Sequence, residues 1–282
     1  MAEAQVATKS ARLEAKSPFE LRVDLGKGLA ETDVQSALDS GDMGFLHSFT
    51  TGSTVDGPGV RVVIWTTGCM WRCRFCHNPD TWPMRNGIPV GAGQALDELR
   101  KYRQGLKVMA GGVTISGGEP LMQHRFVLKV LRGAKAMGIH TTIETNGFYG
   151  ERLSDADFEA IDLVMLGVKT WDPERHRELT GRELGPTLEL ARRLGAAKRP
   201  MWVRFVLVPG LTDDLDDIAK IAELAASLGS VERVEVLPFH QLGRFKWKQL
   251  GIKYHLENTE PPTLEVVDSA LRVFRAAGLE AY

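Results

Sequence analysis

From Gly44 onward, short runs of β-branched and other apolar residues alternate with amphipathic stretches whose apolar positions recur every three or four residues. The runs predict strands at Val60–Thr66, Gly112–Ser116, His140–Glu144, Leu163–Val168, Trp202–Val208 and Arg233–Leu237. The amphipathic stretches predict helices near Ala92–Tyr102, Gln123–Met137, Asp155–Ala160, Thr187–Leu194, Asp216–Leu228 and Leu264–Ala276. Thr212-Asp213-Asp214 supplies capping side chains and negative charge where the helix at Asp216 begins. Strands alternating with helices describe βα units around a parallel sheet, and continuous apolar strands are those buried on both faces. In such sheets, open or closed into a barrel, ligands gather at the carboxyl ends of the strands. Residues 1–42 mix charge with Ala, Ser and Gly and carry no motif. They read as an N-terminal extension, partly disordered and helical only between Glu31 and Leu38, ahead of a single domain over 43–282.

Composition narrows the class. A chain of 282 residues with 43% hydrophobic content can bury one large core. Lys and Arg number 35 against 36 acidic residues, so no net field draws the protein to nucleic acid or to an anionic membrane. The apolar runs fall short of the roughly 18 residues of a spanning helix. The first residues carry scattered charge and no apolar segment, which predicts a cytoplasmic protein.

All three cysteines lie in Thr67-Gly68-Cys69-Met70-Trp71-Arg72-Cys73-Arg74-Phe75-Cys76-His77-Asn78, directly behind the first predicted strand. An odd count so tightly spaced does not build a disulfide framework. Three thiolates on one loop can bind three irons of a cubane and leave the fourth open to a substrate, whereas four thiolates close the cluster. A zinc ion completed by His77, or buried thiols without a ligand, are the alternatives.

Further polar residues end the later strands. Ser116-Gly117-Gly118-Glu119-Pro120 follows the second, Glu144-Thr145-Asn146-Gly147 the third, and Met165-Leu166-Gly167-Val168-Lys169 the fourth. By itself the double glycine suits a tight βα turn, and Lys169 suits either a carboxylate ligand or a solvated strand end. Arg204, inside the fifth strand, needs an anionic partner from a cofactor, a substrate or a structural carboxylate. His240 follows the sixth strand, and a lone histidine is more often structural than functional.

The C-x3-C-x2-C spacing, with an aromatic residue before the last cysteine, resembles the radical S-adenosylmethionine superfamily. The resemblance runs from the Gly44 region to the C-terminus through His47-Ser48-Phe49, Thr54-Val55-Asp56-Gly57-Pro58-Gly59, Cys76-His77-Asn78, Asp80-Thr81-Trp82, Thr145-Asn146-Gly147-Phe148, Asp162-Leu163-Val164-Met165-Leu166, His240, Leu242-Gly243 and Lys246-Trp247. Taken together these strings resemble the glycyl radical enzyme activases, those that serve pyruvate formate-lyase. The resemblance implies a partial (β/α)6 TIM-like barrel and a 4Fe-4S cluster on Cys69, Cys73 and Cys76. It implies reductive cleavage of S-adenosylmethionine to a 5'-deoxyadenosyl radical, which takes a hydrogen from a backbone glycine of the partner. It places Phe75, Cys76, His77, Asn78, Gly117, Gly118, Glu119, Gly167, Val168, Lys169, Arg204 and His240 at the cofactor, and Asp56 towards the substrate peptide or the cluster loop.

Two departures stand out. Gly167 replaces an aspartate usual in the family, and Glu144 replaces another. Those aspartates would help hold a monovalent cation, here near Glu144, Thr145 and Met165; with one hard oxygen ligand gone, weaker dependence on potassium or sodium is expected. No cysteine remains for an inserted ferredoxin-like segment, which favours pyruvate formate-lyase over other glycyl radical enzymes as partner and an external donor, reduced flavodoxin or ferredoxin. A monomer working without oxygen is expected. The rival readings are an activase of another glycyl radical enzyme and a non-catalytic iron-sulfur or zinc binding module.

Overall fold

A computed structural model describes residues 31–282; the expectation for residues 1–30 lies outside the described residues. The chain order is α1 Glu31–Ser40, β1 Met43–Ser53, β2 Arg61–Thr66, β3 Ile88–Gly91, α2 Ala92–Val108, β4 Gly112–Gly117, α3 His124–Ala136, β5 His140–Thr145 and β6 Leu163–Gly167. It continues with α4 Pro173–Thr180, α5 Gly185–Ala196, β7 Met201–Leu207, α6 Leu215–Leu228, β8 Val231–Pro238, α7 Arg244–Gln249 and α8 Leu264–Ala276.

The six strands expected from the pattern are present, with ends displaced by at most about two residues. They are β2, β4, β5, β6, β7 and β8, hydrogen-bonded in that order and all parallel. The fold is the expected incomplete barrel: β8 does not pair with the opposite edge. That edge carries two strands the pattern did not predict, β1 antiparallel to β2 and β3 antiparallel to β1. A register shift between Leu46 and Ser48 explains why β1 was missed, because an irregular residue in a strand breaks the period-two alternation by which strands are read.

Helix predictions were less complete. The stretch Asp155–Ala160 is a 3-10 segment rather than an α-helix. Short α4 and α7 went unread. In α4 the cap was legible, since the Asp172 side chain accepts from the Arg175 amide and Gly181 ends the helix at φ 75°.

The strands are buried on both faces, as expected, but the two faces differ in polarity. One face is apolar and packs on the helices, with Ile64, Val113, Ile143, Val164, Val203 and Phe205 in one core with Val127, Ile218 and Phe274. The alternating positions on the other face carry Arg61, Thr114, Ser116, Thr142, Glu144 and Arg204, which hydrogen-bond one another across the strands. Helices cover only one face, so the other can be polar provided its groups are paired.

Arg61 shows how that pairing works at the amino end of the sheet. It is wholly buried, and its guanidinium donates to the Thr114 hydroxyl at 3.0 Å, the Thr142 hydroxyl at 2.8 Å, the Val113 carbonyl at 2.6 Å and the Pro58 carbonyl at 3.2 Å. Burial lowers its pKa to about 10. Removing the donors strands several buried acceptors, so Arg61→Ala is expected to destabilise the protein by about 3 kcal/mol, read from the denaturant midpoint. A loss below about 1 kcal/mol would show that water reaches these acceptors.

Candidate active site

The cysteine loop leaves the carboxyl end of β2 and is stitched down by main-chain bonds. Gly68 and Cys69 donate to the Thr81 and Trp82 carbonyls at 2.7 and 3.0 Å, while Arg72 and Arg74 donate to Thr180 and Leu179 at the end of α4 at 2.7 and 3.0 Å. The loop after β4 presses against it: the Glu119 amide donates to the Gly68 carbonyl at 2.7 Å. A Cβ on Gly118 would lie 2.4 Å from that carbonyl oxygen and 3.2 Å from the Cys69 Cβ, so only glycine permits the approach.

The three thiols sit in a dry, aromatic setting. Cys69 is buried, Cys73 and Cys76 are half-buried, and they pack with Trp71, Trp82 and Trp247. The Trp247 indole N–H holds the Cys76 carbonyl at 2.8 Å. Burial pushes all three thiol pKa values up, that of Cys76 to about 12, against the pull of Lys169 on Cys73 and Cys76 and of Arg72 on Cys73. Uncoordinated, these cysteines hold their protons; a metal centre replaces those protons and relieves the burial of charge.

The donor set suits a cluster better than one ion. Among the described residues no three His, Cys, Asp or Glu side chains gather around a single metal position. His77, the fourth ligand that a zinc site would need, is turned to His240, with ring centroids 5.6 Å apart and planes at 63°, and accepts from the Asn78 amide at 3.1 Å. Burial, aided by His240, lowers the His77 pKa to about 4, so its ring is neutral near pH 7.

Of the other residues singled out from the sequence, several meet this loop. Lys169 follows β6, and its charge favours the ionised forms of Cys73, Cys76 and Glu144 and the neutral form of His77. Gly117 ends β4 with φ 122°, and Gly167 leaves the space beside Lys169: a Cβ there would lie 3.0 Å from Nζ.

Other expected contact residues spend their side chains elsewhere. Glu119 is fully buried and accepts from the Thr145 hydroxyl at 2.6 Å, the Leu121 amide at 2.8 Å and the Asn146 amide at 2.8 Å, which makes it a strut between the ends of β4 and β5. Arg204 finds structural carboxylates: it donates to Glu144 at 2.7 Å and Glu235 at 2.9 Å, and to the Val55 carbonyl at 2.7 Å. Phe75 packs with Val208 and Phe239, Val168 lies in the main core, and Met165 packs with Leu163 and Trp202. Asn78 bridges His77 and the Lys246 ammonium.

Sequence reasoning assigned no role to Trp82, Trp247, Lys246, His47 or Asp80, although the strings Asp80-Thr81-Trp82 and Lys246-Trp247 were visible. Asp80 ties His47 in β1, at 3.0 Å, to Lys246 in α7, also at 3.0 Å, and so fastens the base of the loop.

The Glu119 strut yields a pH test. Burial raises its carboxyl to about 7 from the ordinary 4.5. The folded protein therefore holds this proton more tightly than the unfolded chain. The stability it contributes is complete below the unfolded value and is lost as pH rises through about 7. Denaturant midpoints of the metal-free protein are expected to fall from about pH 5 to about pH 8, and Glu119→Gln to flatten that fall. An unchanged slope in the variant would assign it to other groups.

Comparison with known proteins agrees with this geometry. Residues 63–225 match the radical SAM superfamily. A pyruvate formate-lyase-activating enzyme of Listeria monocytogenes is 41% identical over 243 residues, covering 83% of this chain and 97% of that protein. One from Staphylococcus epidermidis is 44% identical over 236 residues, covering 81% and 94%. Among solved structures, a domain of pyruvate-formate lyase-activating enzyme from Bacteroides vulgatus superposes with TM-score 0.51 at 25% identity, covering 61% of this chain and 98% of that one. Streptococcus suis SuiB bound to S-adenosylmethionine gives TM-score 0.58 at 17% identity over 78% of this chain and 49% of its own, a likeness of fold. The identity extends along nearly the full length of the relatives, and the chain therefore belongs to the pyruvate formate-lyase-activating enzymes of the radical SAM superfamily.

Proposed function

We propose that the chain activates pyruvate formate-lyase, with Cys69, Cys73 and Cys76 holding a 4Fe-4S cluster at which S-adenosylmethionine binds. The observation that carries the reading is the close approach of the Gly118 main chain to a loop of three desolvated thiols at the carboxyl ends of parallel strands. When bound, the cluster supplies one electron that splits the sulfonium into methionine and a 5'-deoxyadenosyl radical, and that radical takes a hydrogen atom from the partner's glycine.

The chain's own residues bind and orient. In this reading the Lys169 ammonium receives the methionyl carboxylate, and the main chain at Gly117 and Gly118 approaches the methionyl amine, where no Cβ intervenes. The neutral His77 ring and His240 offer flat surfaces for an adenine. Trp71, Trp82 and Trp247 exclude water from the thiols. Arg204 holds the Val55–Asp56 loop against β5 and β8, with Val55 68% exposed at its tip, where the partner's glycyl loop would lie. The unpaired edges of the sheet leave room for that loop to enter.

The electron comes from outside, from reduced flavodoxin or ferredoxin, since three cysteines build one cluster. In this reading the chain works as a monomer in the cytoplasm.

The cation site of the resemblance does not fit. Both Glu144 oxygens are taken, one by the Ser116 hydroxyl at 2.6 Å and one by Arg204 at 2.7 Å. Arg204 and Lys169 both hold its carboxyl below the usual range, against the effect of burial. A third cation would meet two resident ones, and Gly167 offers it no ligand.

Two measurements follow. Anaerobically reconstituted protein with dithionite and S-adenosylmethionine is expected to release 5'-deoxyadenosine, and with pyruvate formate-lyase to give a glycyl radical doublet by electron paramagnetic resonance. Cys73→Ala should abolish both along with the brown colour, and release that survived the change would overturn the cluster assignment. The spectral change on adding S-adenosylmethionine is expected to be the same in potassium and in a bulky organic cation; a strict potassium requirement would restore the cation site.

A further inference from the structure

One surface that the chemistry above does not use lies directly outside the cysteine loop. From Leu242 to His255 the chain carries Arg244, Lys246, Lys248 and Lys253 and no Asp or Glu, in a protein whose net charge is −1. The centre of this stretch is α7. Its inward residues grip the loop: Trp247 is buried and donates to the Cys76 carbonyl at 2.8 Å, and Lys246 reaches Asn78 at 2.8 Å and Asp80 at 3.0 Å. Gly243 completes the contact, since a Cβ there would lie 2.5 Å from the His77 Cα. Its outward residues have no structural task. Leu242 is 74% exposed and Phe245 57%, and Ile252 in the turn after the helix is exposed as well. Lys248 stands one turn along α7 from Phe245, and Lys253 adjoins Ile252 in the chain. Both lysines are exposed and form no ion pair among the described residues, whereas Arg244 is paired with Glu257 and Lys246 with Asp80.

We propose that the exposed face formed by Leu242, Phe245, Lys248, Ile252 and Lys253 is the docking surface for an acidic protein that carries one-electron equivalents. The inference rests on the cluster reading above, in which three cysteines build one cluster and the electron comes from outside. Large apolar side chains left in water and rimmed by polar groups mark a place where another protein docks. The lysines select an acidic partner by charge complementarity. The position selects an electron carrier, because transfer falls off steeply with distance and the helix bearing the patch is hydrogen-bonded to Cys76 itself. In the transfer the reduced carrier loses one electron, the oxidised cluster gains it, and no bond forms or breaks. Redox encounters of this kind are brief and bury little area, so a small patch suffices where a lasting complex would need more. In the reading above the glycyl loop of the substrate protein lies at Val55–Asp56, which Arg204 ties to β5 and β8, so donor and substrate meet the chain on different segments.

The test compares two reductants on the reconstituted protein: reduced flavodoxin as the acidic carrier, and photoreduced deazaflavin as a small uncharged one. Bleaching of the cluster is followed with time. Lys248→Glu and Lys253→Glu, made together, are expected to slow reduction by flavodoxin about tenfold at low salt and to leave reduction by deazaflavin within about twofold. Salt should close the gap between variant and unaltered protein, because exposed charges are screened beyond about 8 Å at physiological ionic strength. Phe245→Ala should slow the flavodoxin reaction while keeping its salt dependence. Independently of any electron flow, a carbodiimide, which joins lysine amines to carboxylates in contact, should link flavodoxin to Lys248 or Lys253, as read by mass spectrometry. Equal flavodoxin rates in the double variant and the unaltered protein overturn the inference, as do cross-links confined to other lysines. So does a loss of deazaflavin-driven glycyl radical formation in the double variant, which would assign the surface to pyruvate formate-lyase instead. An unaltered protein reduced by neither agent fails at the cluster reading; one reduced by deazaflavin alone keeps that reading and overturns this inference.

Discussion

Four distant segments meet at one guanidinium. Arg204, in β7, binds Glu144 from β5, Glu235 from β8 and the Val55 carbonyl from the loop between β1 and β2, with Asp56 of the same loop 3.7 Å away. Burial by itself would lower the pKa of this cation; Glu144 and Glu235 outweigh burial and hold it above the ordinary value. The carboxylates outnumber it, and the surplus appears at Asp56, whose pKa rises through burial and the neighbouring Glu144. Without Arg204 the polar face of the sheet would hold buried like charges, and the Asp56 loop would lose its anchor to the strand ends.

The same economy of charge shapes the cysteine loop. Three thiols are packed against tryptophans, where ionisation is opposed by desolvation, and the cations that face them are few. Rigidity comes from the main chain: the loop is bonded to the turn at Thr81–Trp82, to the end of α4 and to the turn after β4. A site of this kind is organised before any ligand arrives, which limits the ordering that binding must impose.

Lys169 and Gly167 show how one absent side chain changes a site. A residue with a Cβ at 167 would crowd the ammonium, and a carboxylate there would compete for it. Glycine leaves Lys169 to face the thiols and Glu144, while Arg204 neutralises Glu144 from behind. The positive charge of this corner is thus covalently part of the chain.

What was legible in the sequence is what depends on neighbours along the chain. The alternation of strands and helices, the three-cysteine spacing and the placing of Gly117, Gly118, Lys169 and His240 after strands all follow from local periodicity, and they carried the family as well. β1 was illegible because its irregular register breaks that periodicity, and the polar character of the second buried face was not read because which face the helices cover is not a local property. The partners of Arg204 lie 60, 31 and 149 residues away, and Glu119 meets Thr145 and Asn146 on another strand end. Only tertiary structure decides such pairs, because they depend on strand register, and register is set when the sheet packs and one residue of slip would turn every side chain to the other face.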